Sequence, residues 1–208
     1  MIPLFVDCSG RRILIFGGGD VAARKCAYFS GTGDVTAVSR SFSPEMAVLP
    51  VHRRELDLRT LPDEDLSAMI DGAFLVIAAL SDPAENNRIG RICAEKKILF
   101  NNADGDAGDV ILPSVSRGKN YTLAFSTEGS SPAVSRFLRE RIEHDYPLLD
   151  AMIDLQQRLR TTLKEAEPDQ EKRSKVLRAV LADPAIWEML RTDPAGAWNE
   201  VHARYIHG

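Results

Sequence analysis

Cysteine is scarce in this chain of 208 residues: Cys8, Cys26 and Cys93 stand far apart, odd in number and without a CxxC pair. That spacing offers neither a disulfide framework nor a thiolate zinc site, and reduced thiols fit a cytoplasmic protein. No apolar run approaches the roughly eighteen residues of a membrane span. The opening Met1-Ile2-Pro3-Leu4-Phe5-Val6 lacks the basic start and long apolar core of a signal peptide, so no membrane partner is expected. Neither sign of charge dominates. With 26 Lys and Arg against 30 Asp and Glu, the net charge of -4 argues against a protein that coats nucleic acid by charge alone. The histidines, His52, His144, His202 and His207, show no metal-ligand spacing, and no metal ligands are assigned. What remains is ordinary globular material, 44% hydrophobic and 27% charged, which excludes disorder.

The order of apolar runs is informative. Arg12 to Phe16 reads as a buried strand ending in three glycines, and Asp20 to Phe29 as the helix that follows. Val35–Val38, Val51–Leu56, Ala73–Ala79 and Ile98–Phe100 read as further strands, with helices over Asp63–Ile70 and Pro83–Lys97 between them. Strands alternating with helices imply an α/β fold with a Rossmann-type parallel sheet, whose ligands sit beyond the carboxyl ends of the strands. Residues 17–20, 39–41, 80–82 and 101–104 all follow predicted strands and are expected to meet at one crevice.

After Asp104 the pattern changes. Val110–Ser116 and Tyr121–Ser126 flank Arg117-Gly118-Lys119-Asn120 and read as a hairpin. Ser131-Pro132 supplies a cap and first-turn proline for a helix to about Asp145. Beyond Pro147 the reading is helical, with Leu148, Met152, Leu155, Leu159 and Leu163 at helical spacing, and Asp183-Pro184 and Asp193-Pro194 as two helix starts. The expected divisions are residues 1–113, a dinucleotide-binding domain, 114–146, a small α+β hairpin-and-helix region, and 147–208, a helical C-terminal subdomain.

Gly17-Gly18-Gly19-Asp20-Val21-Ala22 lies between a strand and a helix, where a pyrophosphate can approach the backbone and meet N–H donors. Gly17 suits the tight turn, Gly19 the phosphates, and Ala22 the close packing of helix on strand. The acidic residue expected roughly twenty positions later, for the ribose 2′-hydroxyl, is absent. Ser39-Arg40-Ser41 stands there instead. It suits a 2′-phosphate or a solvated loop equally, so NAD and NADP both stay open.

With these pieces placed, the chain resembles the precorrin-2 dehydrogenase/sirohydrochlorin ferrochelatase family, the N-terminal module of siroheme synthases. The resemblance rests on Pro3-Leu4-Phe5, on Phe16 to Lys25, on Val76-Ile77-Ala78-Ala79 with Asn86 after it, on Asn101-Asn102-Ala103-Asp104, and on Ser126 to Pro132 with Arg136. It spans roughly residues 1–145. It departs from the family pattern at Leu80-Ser81 and at Gly105 to Asp109, and the helices past Pro147 carry no matching motif. The resemblance implies NAD-dependent oxidation of precorrin-2 to sirohydrochlorin, followed in many members by insertion of ferrous iron. It also implies a homodimer formed through the region after the Rossmann domain.

The same resemblance implies roles for single residues. Asp104 matches the catalytic aspartate, a carboxylate placed to take a proton as hydride leaves the substrate; read alone, it is a turn residue in a Gly/Asp-rich loop. Asp20 and Val21 match positions that contact the cofactor, Arg40 and Ser41 those beside the adenosine, and Ala79 and Leu80 join the cofactor set. Asn101 and Asn102 either orient the nicotinamide or the macrocycle, or satisfy loop backbone. Ser126, Thr127 and Ser130 form a polar turn at a helix start suited to a substrate carboxylate. Arg136, with Arg117, Lys119, Arg139 and Arg141, makes that region basic, as a polycarboxylate substrate requires, although such runs are usually solvated faces. Three other functions compete: a chelatase or metal-binding scaffold without redox activity, a non-catalytic NAD-sensing module like the Rossmann domains attached to ion channels, and an NADP-dependent reductase of an unrelated substrate.

Overall fold

In the computed structural model, which describes residues 1–206, the chain divides into two compact units, Met1–Leu112 and Pro113–Gly208. In the first unit the strands are β1 (Arg12–Phe16), β2 (Asp34–Ser39), β3 (His52–Glu55), β4 (Leu75–Ala78) and β5 (Leu99–Asn102), all parallel and ordered β3-β2-β1-β4-β5. This is the Rossmann-type sheet expected from sequence, with its switch point between β1 and β4. The helices between strands are α1 (Asp20–Phe29), the short α2 (Pro44–Ala47), α3 (Asp63–Ile70) and α4 (Pro83–Lys96).

The central strands β1 and β4 are buried on both faces, which is why they are continuous apolar runs, whereas the edge strand β3, His-Arg-Arg-Glu, is exposed throughout. Leu14, Phe16, Val76 and Phe100 pack with Leu66 and Ile70 of α3 and Ile89 and Cys93 of α4. Ile13, Ile15, Ala37 and Ile77 pack on the other face with Ala22, Cys26 and Phe29 of α1 and Met46 of α2. The register aligns the strand ends: Phe16 lies opposite both Val38 and Ala78, and Ala78 opposite Asn102. Every loop that follows a strand at this edge therefore leaves from one level.

Two sequence expectations shift here. β5 runs on through Asn101 and Asn102, so the pair ends the strand rather than following it. Residues 110–112 do not open the hairpin. The Val110 N–H donates to the Phe100 carbonyl (3.0 Å), Val110 and Leu112 pack on the α1 face of the sheet, and Pro113, lacking a donor, ends the run.

The second unit begins with the antiparallel hairpin β6 (Ser114–Arg117) and β7 (Thr122–Phe125), followed by α5 (Pro132–Asp145). The helices α6 (Leu149–Ala166), α7 (Gln170–Ala182), α8 (Pro184–Thr192) and α9 (Pro194–Tyr205) then close around Met152, Leu155, Leu159 and Leu163, the stripe legible in the sequence. Asp183 accepts from the Ala185 N–H and Asp193 from the Gly196 N–H, so both Asp-Pro pairs are true helix caps. Ser131 holds the N-cap position of α5 but its side chain makes no cap bond; Thr127 Oγ1 instead accepts from its backbone N–H and donates to its carbonyl (2.9 Å each). Among the described residues no helix is long and apolar enough to cross a membrane.

Candidate active site

The glycine turn shows why each position is glycine. Gly17 has φ +135°, and a Cβ there would lie 2.5 Å from the Ala79 carbonyl oxygen. Gly18 abuts the next loop: a Cβ would fall 1.9 Å from Ser41 O, while the Gly18 carbonyl accepts from the Ser43 N–H (2.7 Å). Gly19, immediately before α1, is different, since a Cβ there would meet no atom of the chain within 4 Å. Open space at a helix N-terminus, walled by two glycines pressed against neighbouring loops, fits a pyrophosphate.

That turn forms the floor of a cleft of about 750 Å³. Of the residues singled out from sequence, Gly17, Gly19, Asp20, Val21, Arg40, Ser41, Ala79, Leu80 and Asp104 all line it. Ser39 and Asp82, expected at this crevice from the strand ends, line it too, while the sequence reading missed Ser43, Asp57, Arg59 and Glu85 in the same wall. Asp57 accepts from Arg59 through both carboxylate oxygens (3.1 and 2.8 Å), and that guanidinium holds its carboxyl down at about 2.

Asp104 is exposed, and among the described residues its carboxylate makes no hydrogen bond or ion pair. Its backbone is held on both sides instead. The Asp104 N–H donates to Asn102 Oδ1 (3.2 Å), and its carbonyl accepts from Asn86 Nδ2 (2.9 Å). Asn86 is fully buried on α4 and also closes on Leu80, donating to its carbonyl (3.1 Å) and accepting from its N–H (3.0 Å). One amide side chain thus fastens the loop after β4 to the loop after β5. Asn87 Oδ1 accepts from Asn102 Nδ2 (3.0 Å) and from the Asp106 N–H (2.9 Å), and leaves no room for a side chain at Gly105, where φ is +134°. Paired asparagines inside a helix are poor helix formers, and that was the only local sign of this clamp.

Asn101 and Asn102 stand outside the cleft wall. Asn101 is buried, donates to the Val110 carbonyl (2.7 Å), and keeps Oδ1 without a partner; Asn102 organises the Asp104 loop. Ser126, Thr127, Ser130 and Arg136 belong to the second unit. Ser126 Oγ accepts from the Glu128 N–H (3.0 Å), and the turn passes through positive φ at Glu128 (53°) and Gly129 (87°). The basic residues of α5 are each matched one turn on: Arg136 with Glu140, Arg139 with Glu143, and Arg141 with Asp145, all at 2.7 Å. The region is therefore not the free cationic field that the residue count suggested. His52 lies on the edge strand and His144 on α5, both exposed, and His202 packs beside Trp198; His207 falls outside the described residues. Among the described residues no three His, Cys, Asp or Glu side chains are grouped as a metal site.

The sheet order and the open glycine turn define a dinucleotide-binding Rossmann protein, and the "Putative NAD(P)-binding" family model matches residues 4–114. A precorrin-2 dehydrogenase of Methanosarcina barkeri is 41% identical over 191 residues, covering 89% of this chain and 85% of that one. The chain belongs to the precorrin-2 dehydrogenase family. Siroheme synthases of Cronobacter sakazakii and Azotobacter vinelandii are 36% and 32% identical over 148 and 192 residues, or 70% and 91% of this chain. It spans only 31% and 41% of their length. The solved structure of "SirC, precorrin-2 dehydrogenase" shares the fold, with TM-score 0.70, 20% identity, and coverage of 98% of this chain and 100% of that one.

Proposed function

We propose that this chain oxidises precorrin-2 to sirohydrochlorin in siroheme synthesis, with NAD as oxidant and Asp104 as the base. The observation that carries the reading is the Asp104 carboxylate itself: unpaired, set in the same cleft as the glycine turn, on a backbone fixed from two directions. The oxidation needs a hydride acceptor, which a nicotinamide dinucleotide in this cleft supplies. Gly19 and the first N–H groups of α1 would hold its pyrophosphate. Asp104 receives the proton that leaves the substrate as hydride departs, so the carbon skeleton loses two electrons and two hydrogens. The Asn86 and Asn102 clamps keep that carboxylate aimed without spending its oxygens on the protein.

Ser126, Thr127, Ser130 and Arg136 are assigned to the substrate carboxylates. The Arg136–Glu140 pair is highly exposed and exchanges readily for a substrate carboxylate. A homodimer follows from α5, where Val134, Phe137 and Leu138 are 47%, 62% and 42% exposed at one helical spacing, an apolar stripe that a second copy would cover. Three unpaired cysteines suit a cytoplasmic setting. Ferrous iron insertion is a separate step on the same product, for which Asp104 is the available carboxylate.

The test is an anaerobic incubation of the purified chain with enzymatically generated precorrin-2 and NAD, followed by absorbance, then with ferrous iron added. NAD-dependent appearance of sirohydrochlorin, abolished in Asp104→Ala, is expected. Nucleotide binding without turnover would instead make the chain a sensor, and siroheme formation from supplied sirohydrochlorin and ferrous iron, without oxidation of precorrin-2, would make it a chelatase.

A further inference from the structure

Among the described residues the lysines are exposed except Lys25 and Lys96, which are half-buried. Lys96 has an anion beside it, Asp71 at 3.1 Å. Lys25, on α1, makes no hydrogen bond or ion pair among the described residues, and the charged group that acts on it, the Arg24 guanidinium, has the same sign. Loss of solvent first, and Arg24 second, hold its ammonium below the ordinary lysine range. A cation withdrawn from water with only a like charge for company lacks the anion that would balance it.

The register of α1 shows from which side that anion arrives. Ala22, Cys26 and Phe29 face the sheet, with Ala23 buried on one flank of that stripe. Lys25 falls on the other flank, one turn after Val21, which is 41% exposed and lines the cleft. Side chains on a helix lean toward its N-terminus, and that end of α1 is Gly19, at the cleft floor. A lysine stem covers about 5 Å, close to one helical turn, so Lys25 runs along Val21 toward the rim of the cleft. Backbone N–H groups at the helix end already serve the pyrophosphate. The flank past Val21 therefore belongs to what binds beside the dinucleotide.

Resting on the precorrin-2 reading above, we infer that Lys25 is a substrate-binding residue, whose ammonium takes a carboxylate of the tetrapyrrole at the rim of the cleft beside Val21. The basic residues of α5 must each release an acidic partner before they can hold a substrate carboxylate. Lys25 has none to release, and a carboxylate arriving there gains a charge-assisted hydrogen bond from a donor already stripped of part of its water.

Anaerobic fluorescence titration of the whole chain with sirohydrochlorin, the product of the proposed oxidation, reads this contact without turnover; NAD is titrated beside it by calorimetry. Lys25→Met keeps the apolar stem and removes the charge. It should bind sirohydrochlorin about ten- to a hundredfold more weakly, the range of a charge-assisted hydrogen bond, and lose part of the salt dependence of the unaltered chain. Its affinity for NAD should stay within about twofold, and in turnover KM for precorrin-2 should rise about tenfold with kcat within about threefold. Lys25→Arg should restore most of the sirohydrochlorin affinity, which a purely structural role for the stem does not require. Unchanged sirohydrochlorin affinity in Lys25→Met overturns this inference and leaves the dehydrogenase reading standing. An equal loss of NAD affinity makes Lys25 a dinucleotide contact and overturns it too. So does loss of the folded state in both Lys25→Met and Lys25→Gln, which would make the residue structural. Failure of the unaltered chain to bind sirohydrochlorin overturns both readings together.

Discussion

Replacing Asn86 by alanine removes three hydrogen bonds at once: two to Leu80 and one to the Asp104 carbonyl. The side chain is fully buried, so the groups left behind face the interior or a water drawn from the cleft. At about 1 kcal/mol for each bond the loss is about 3 kcal/mol, and entering water reduces it to about 2 kcal/mol. That is a large share of a marginal stability. The catalytic consequence is separate, because the Asp104 loop is then held from one side only. A displacement on the order of 1 Å costs about a hundredfold in kcat. Unfolding should be followed by urea titration with circular dichroism, because both tryptophans, Trp187 and Trp198, belong to the second unit and leave the first silent in fluorescence. The companion variant Asp104→Ala should abolish turnover with stability within about 0.5 kcal/mol, since its side chain makes no bond. Asn86→Ala with unchanged stability and kcat within twofold would refute the clamp.

The glycine turn gives a paired test. Gly19→Ala should fold normally, since its backbone is extended (φ -87°, ψ -172°) and its Cβ meets nothing, yet should weaken dinucleotide binding about tenfold or more in calorimetry. Gly18→Ala should lose thermal stability as well, because its Cβ collides with the Ser41 backbone. In the second unit, Asp183→Ala removes the α8 cap, a bond from Tyr205 Oη (2.9 Å) and a pairing with Arg204 (3.2 Å); about 2 kcal/mol should be lost by tryptophan fluorescence. Burial pushes the Cys26 thiol up to about 11 and Cys93 up to about 12, so a thiol reagent at pH 8 should modify Cys8 alone in the native protein and all three after denaturation. Because those two thiols ionise sooner when unfolded, their contribution to stability should be intact below about pH 8.5 and decline as the pH rises toward 11.

The strands, the order of α and β elements, the glycine turn and the place of Asp104 were legible in the sequence. Each is a local pattern: apolar runs bounded by turn residues, a strand followed by glycines and a helix, an aspartate just past a strand. Local backbone geometry answers to near neighbours, so such patterns survive without a partner in view. The Asp-Pro helix starts belong to the same group, because a cap reaches only two or three residues along the chain.

What the sequence left open depended on contacts between distant segments. Residues 110–112 look like a strand until the α1 face of the sheet is there to receive them. Ser131 reads as a side-chain cap, yet in the fold its hydroxyl makes no cap bond and the turn is tied to Thr127 through the backbone. The basic residues of α5 look like a patch until their acidic partners are placed one turn on. Asn86 reaches Asp104 across eighteen residues, and the state of Asp57 depends on how Arg59 folds back upon it. Periodicity records which face of an element is apolar, and so it determined the fold; hydrogen bonds and ion pairs form only where the folded chain brings donor to acceptor, and so the tertiary structure alone decided which polar side chains are engaged and which, like the Asp104 carboxylate, are left free.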